Sequence, residues 1–152
     1  MGIRSDVERL MKIDELVKEG LEDEVAVMKD ISIELMNGLK GIRDVVSQTN
    51  FRNLTKESSG EILGNARRAI DSFVASLSAL EGLDDRFEPI KRHSEFLRVN
   101  LEEFKNTLDV YGNSKKAVVD FENNVLYQFK ITVLRDFEED IGFNKRVEKA
   151  LK

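Results

Sequence analysis

The feature that most constrains this chain is a hydrophobic heptad that returns in three separate segments. Leu21, Val25, Met28, Ser32, Leu35, Leu39, Ile42 and Val46 step by four and three residues. So do Leu63, Ala66, Ile70, Phe73, Leu77 and Leu80, and so do Phe87, Ile90, Ser94, Leu97, Leu101, Phe104, Leu108 and Tyr111. A mean spacing of about 3.5 residues keeps one stripe facing a neighbouring helix along its whole length. The fold class that follows is all-α: an elongated antiparallel helical bundle of four long helices plus a shorter N-terminal helix. Residues 1–152 are expected to form a single domain, because a chain of this length can bury one core without disulfides or metal staples.

Starts and stops divide the stripes into helices. Ser5-x-x-Glu8, Ser58-x-x-Glu61 and Asp85-x-x-Glu88 have capping-box spacing. Gly20, Gly82 and Gly112 each follow a periodic run, where a left-handed residue would end a helix. The expected helices span about 5–19, 21–49, 59–81, 86–111 and 114–141, with a helical tail near 144–151. Pro89 falls in the first turn of the fourth, where its missing N–H costs least. The only long connector is Gln48 to Glu57, and the short joints elsewhere predict antiparallel neighbours. Gly38 and Gly41 inside the second helix point to local close packing or to a kink.

Two helices depart from a simple stripe. In the fifth, Val118, Val119, Phe121, Val125, Leu126, Tyr127, Phe129, Ile131, Val133, Leu134 and Phe137 surround the axis. Residues 125–133 also alternate as a strand would, but the length of the run and the lack of a turn signal favour a helix. In the third, Ser72 to Leu80 carries no charge, and Ala69, Ser72, Ala75, Ser76 and Ala79 make a small-residue face that lets a second helix approach closely. A helix apolar on several sides must be covered on several sides. Self-association is therefore expected, a homodimer that buries residues of the third or the fifth helix, with Ala75, Ala79, Tyr127 and Ile131 as candidate interface residues. The alternative is a fifth helix at the centre of the monomer.

Chemistry-bearing patterns are sparse. No phosphate-binding loop, dinucleotide fingerprint or zinc-protease motif occurs. The absence of cysteine removes disulfides and thiolate metal sites, which suits a reducing, cytoplasmic setting. His93 is the single histidine, has no Glu-x-x-His partner, and is expected to be a functionally neutral surface or boundary residue. Glu19, Glu22, Asp23 and Glu24 complement the positive end of the second helix. As a metal site they would need a second facing carboxylate set. Asp120 has no carboxylate three residues on; Asp136-x-x-Glu139 has the spacing, a pattern so short that a chain this charged holds it by chance. Asp136, Glu138, Glu139 and Asp140 lie at the end of the fifth helix, where the dipole disfavours negative charge, and form a candidate acidic docking patch.

The net charge of −5 argues against a nucleic-acid coat. The basic pairs Arg67-Arg68, Lys91-Arg92, Lys115-Lys116 and Lys145-Arg146 would bind a phosphate backbone only if the fold gathered three of them. No apolar run is long enough to span a bilayer, and Met1 to Asp6 carries neither a signal-peptide core nor a myristoylation pattern. The expected function is non-enzymatic: a helical module for protein contact, serving as an adaptor, accessory subunit or self-associating scaffold, without cofactor or metal. A small helical subunit of a nucleoprotein complex is the alternative, and a carboxylate metal-dependent hydrolase built on Glu22, Asp23 and the Asp136–Asp140 group comes third.

Overall fold

The computed structural model describes residues 6–12, 23–51, 54, 57–137 and 140–152. Residues 6–12 are helical (α1). They are followed by α2 (Glu24–Gln48), a short α3 (Ser59–Ile62), α4 (Gly64–Glu81), α5 (Glu88–Asn106), α6 (Ser114–Phe121), α7 (Tyr127–Phe137) and α8 (Ile141–Ala150). A π-helical turn, Glu122–Leu126, joins α6 to α7. No strand occurs among the described residues, and residues 125–133 are helical. The chain is all-α, as its heptads predict.

Residue pairs near the two ends of the joints α2–α4, α4–α5, α5 with α6–α7 and α2 with α6–α7 show that these neighbours run antiparallel. Phe73 of α4 lies against Gly38 of α2, and Asn65 shares a groove with Val45. Between α4 and α5, Lys105 pairs with Asp71 at 2.7 Å, Ser94 Oγ donates to the Leu77 carbonyl at 3.2 Å, and Arg98 meets Glu81 at 3.1 Å. Between α5 and the last long helix, Phe104 packs on Phe121 and His93 meets Asp136. Arg43 of α2 reaches Glu122, and Lys29 reaches Asp140. α4 and the α6–α7 unit therefore flank α2 and α5 from opposite sides. α8 folds back on α2 and α7 through Arg146–Asp30 at 2.8 Å and an edge-to-face Phe137–Phe143 pair.

The three stripes form one continuous core with the buried residues of the α6–α7 unit and α8. Leu35, Leu39, Ile70, Leu77, Leu97 and Leu101 are fully buried, and Phe73 and Phe104 nearly so. Val25 is an exception at 39% exposed, because it stands in the first turn of α2 ahead of its neighbours. Polar Ser32 and Ser94 stay in the stripes by donating to the Met28 and Leu77 carbonyls.

Several expected boundaries move. α5 stops at Asn106, and Leu108–Val110 continues as a 3-10 turn. Asp84, not Asp85, caps that helix's approach, accepting from the Arg86 N–H before a 3-10 turn, Asp85–Phe87. Ser58 precedes α3 without a side-chain cap. Gly82 ends α4 at φ −85°, ψ 3°, so it is not left-handed. Gly112 is not left-handed either; at both joints the chain leaves through right-handed or extended backbone. Ser5 and Gly20 lie outside the described residues. The caps that do form are Asp23, Asn113 and Asp140, each accepting a backbone N–H from the first turn that follows. The expected tail is α8, and Pro89 sits in the first turn of α5.

Candidate interaction surface

The last long helix explains its own irregular sequence. Ala117, Phe121, Val125, Phe129, Val133 and Phe137 are all buried, and they step by four. An α-helix turns once every 3.6 residues, so a step of four drifts about 40° per turn. The π turn takes up part of that drift, with the Tyr127 N–H donating to the Glu122 carbonyl five residues back. One inward stripe thus survives along α6 and α7. Leu126 is also buried, and Val118 and Leu134 pack partly against the core, whereas three large apolar side chains face away: Val119 is 48% exposed, Tyr127 42% and Ile131 50%. The expectation of a central helix fails for this reason. One face packs on the core, and the opposite face carries Val119, Tyr127 and Ile131 into solvent.

Ala75 and Ala79 are exposed on α4, as is Ser72. α1 lies beside them: Val7, Glu8 and Met11 share with Ser72, Ala75 and Ala79 a shallow groove of about 490 Å³. Val7 and Leu10 are buried there, so α1 accounts for part of the small-residue face. Because α4 and α7 lie on opposite sides of α2 and α5, the four candidate interface residues do not form one surface.

The acidic group at the end of α7 is divided. Glu138 and Glu139 lie outside the described residues. Asp136 turns inward, its carboxylate meeting His93 Nε2 at 2.7 Å and Arg92 at 3.3 Å. Asp140 pairs with Lys29 at 2.5 Å and accepts the Phe143 N–H at 2.9 Å; these contacts, Lys29 first, hold it below the usual carboxylate range. Both described members of the proposed docking patch are engaged within the chain.

His93 is not a surface residue. It is fully buried, edge-on to Phe129 and Phe137 with centroids 5.6 and 6.4 Å away. Burial pushes its imidazole below its ordinary pKa of 6.5, against the opposing pull of the Asp136 hydrogen bond and charge. A neutral ring satisfies this site when Nε2–H donates to Asp136. Nδ1 is buried without a partner among the described residues, which suits a lone pair better than an N–H. The signal was present in the sequence: His93 stands three residues after Ile90 and four before Leu97, on the inward face of α5.

The other charged groups disperse. Asp23 accepts from the Val25 and Ala26 N–H groups, and Glu22 lies outside the described residues. Among the described residues no three His, Asp or Glu side chains converge as metal ligands would. Arg67-Arg68 and Lys115-Lys116 stand at the starts of α4 and α6, one end of the antiparallel array. Lys91-Arg92 and Lys145-Arg146 lie toward the other end, where Asp85, Asp136 and Asp30 pair with three of them. No face gathers three pairs.

Comparison with protein-family models, with curated proteins and with solved structures finds no match. The candidate surface rests on geometry alone. No helix among the described residues is long and apolar enough to cross a membrane.

Proposed function

We propose that this chain is a non-enzymatic helical interaction module that self-associates through the outward face of α6 and α7. The observation that carries the reading is the line of Val119, Tyr127 and Ile131 in solvent, on a helix whose other face is already packed. Apolar side chains grouped on an outer helix face gain by being covered, and a second copy offers the same face across a twofold axis. Lys130 is drawn aside to Glu148 at 2.7 Å, which leaves the face between Tyr127 and Ile131 without an adjoining free ammonium. Ala75 and Ala79 are a weaker candidate, since α1 lies beside them.

The test is light scattering at micromolar concentration on the wild type and on Ile131→Glu. A dimeric mass that falls to monomer in the variant, with unchanged helicity by circular dichroism, is the expected result. A monomeric wild type, or a dimer indifferent to Ile131→Glu, would sink this interface.

A further inference from the structure

The π turn that straightens the inward stripe also builds a groove on its flank. Asp120, Asn124 and Gln128 follow one another at steps of four and form one wall. Asn100 and Glu103 of α5, with Thr107 just beyond its end, form the other. Phe96, Phe104 and Val125 supply apolar surface, and Tyr111 is part of the same lining. The groove encloses about 660 Å³, the size of a small organic ligand's site. π turns recur at functional sites because the wider turn re-aims side chains at some cost in hydrogen-bond geometry.

The polar atoms of this groove are biased toward accepting. Tyr111 donates its hydroxyl to Asp120, and Asn124 Nδ2 donates to the other oxygen of the same carboxylate at 2.6 Å. Thr107 donates to the Phe104 carbonyl at 3.1 Å, and Asn100 Nδ2 to the Phe96 carbonyl at 2.8 Å. Burial, and then the bond to Asp120, pushes the Tyr111 phenol up to about 12, so its hydroxyl stays a donor. Neither Asp120 nor Glu103 has a salt bridge to a cationic side chain among the described residues, and no lysine or arginine lines the groove. What remains is two carboxylates, the amide oxygens of Asn100 and Asn124 and the Gln128 amide, set beside the rings of Phe96 and Tyr111.

We infer that the groove between α5 and the π turn binds a small organic cation, a free aliphatic amine carrying one or two ammonium groups. The carboxylates would accept its N–H bonds. The half-buried rings of Phe96 and Tyr111 attract a cation as well as its methylenes. Two carboxylates favour a diamine over a monoamine. This site is separate from the outward face of α7 and does not depend on self-association.

The probe is putrescine, titrated into labelled protein while the side-chain amide resonances of Asn100, Asn124 and Gln128 are followed by NMR. Butanediol, of the same length and without charge, is the control. Saturable shifts confined to the groove with putrescine, and none with butanediol, are expected. Asp120→Asn keeps the shape and the Asn124 contact while removing the charge, and should weaken putrescine about tenfold or more. Glu103→Gln, in contact with solvent, is the second variant and should also weaken it. Non-saturable shifts spread over all acidic surfaces would reduce the effect to attraction by the chain's net negative charge and overturn the site. So would binding unchanged in both variants. Stronger binding of an end-capped lysine amide than of putrescine would overturn the free-amine assignment in favour of a lysine side chain.

Discussion

Gly38 and Gly41 stand one turn apart on α2, and different neighbours decide what each tolerates. A Cβ on Gly38 would overlap the Phe73 ring, whereas at Gly41 it would meet nothing within 4 Å. Helix propensity alone favours alanine over glycine by about 1 kcal/mol. At Gly41 nothing opposes that gain, so Gly41→Ala should stabilise by up to about 1 kcal/mol. At Gly38 overpacking costs typically about 1–3 kcal/mol, so Gly38→Ala should destabilise on balance. Urea denaturation of the two variants reads both signs; a stabilised Gly38→Ala would show that Phe73 moves aside freely. Sequence reasoning found both glycines inside the helix but could not separate them, because the ring that decides lies 35 positions further along, 73 minus 38.

His93 carries a second prediction at a single residue. Its folded-state pKa is lowered by burial, chiefly, with Arg92 acting in the same sense and Asp136 against it. As pH falls through about 6.5 the unfolded chain takes up a proton that the folded chain refuses. The unfolded state then binds more protons, so stability falls with pH until the buried ring itself protonates. His93→Gln should lower stability at every pH, because it leaves Asp136 imperfectly partnered among aromatic rings. It should also remove the part of the slope between about pH 8 and pH 5 that belongs to the imidazole. Equal slopes in the two proteins would place His93 in water, as its sequence context first suggested.

Among the helices, α5 and the α6–α7 unit show how much of the fold was legible. Every described member of the α4 and α5 stripes is buried except Tyr111, which is half-buried beside the groove. Phe104 joins the two elements, with centroids 5.1 Å from Phe121 and 5.9 Å from Tyr111. Phe104→Ala should cost about 3–5 kcal/mol, the range for deleting a buried aromatic ring. A chemical-denaturation loss below about 1 kcal/mol would put the ring outside the cooperative core. Heptads were readable because a regular α-helix converts spacing into direction. The helix after Asn113 was not, because its π turn changes that conversion partway along. Read at 3.6 residues per turn its apolar residues surround the axis. Read with one wider turn, an inward stripe at steps of four emerges, widened by Leu126, Val118 and Leu134, and Val119, Tyr127 and Ile131 are left on the outside. A run of six apolar residues spaced by four, 117 to 137, was the available sign. The groove was illegible for a related reason: Asp120 and Glu103 meet only through tertiary packing, and neither belongs to a motif.

At the level of the whole molecule, Val119, Tyr127 and Ile131 leave apolar surface on the outer face of α6 and α7 that the fold's own packing does not cover, as Val110 and Ile141 do elsewhere. Val119 and Ile131 are each about half exposed. Single exposed apolar residues are ordinary, but Val119, Tyr127 and Ile131 share the outer side of one helical unit, with Asn123 among them. If two copies cover it, association favours the folded state, and stability acquires a concentration dependence that a monomer lacks. The thermal midpoint of the wild type should therefore rise as protein concentration rises, and Ile131→Glu should abolish the rise. Because Ile131 is half exposed, the variant should lose little stability at high dilution, where the wild type is itself monomeric; surface substitutions usually lie within about 0.5 kcal/mol. Tyr127→Glu should act in the same way, whereas Ala75→Glu on the opposite side of the array should leave the concentration dependence intact. Abolition by Ala75→Glu, with Ile131→Glu silent, would move the contact to α4 and make α1 its rim.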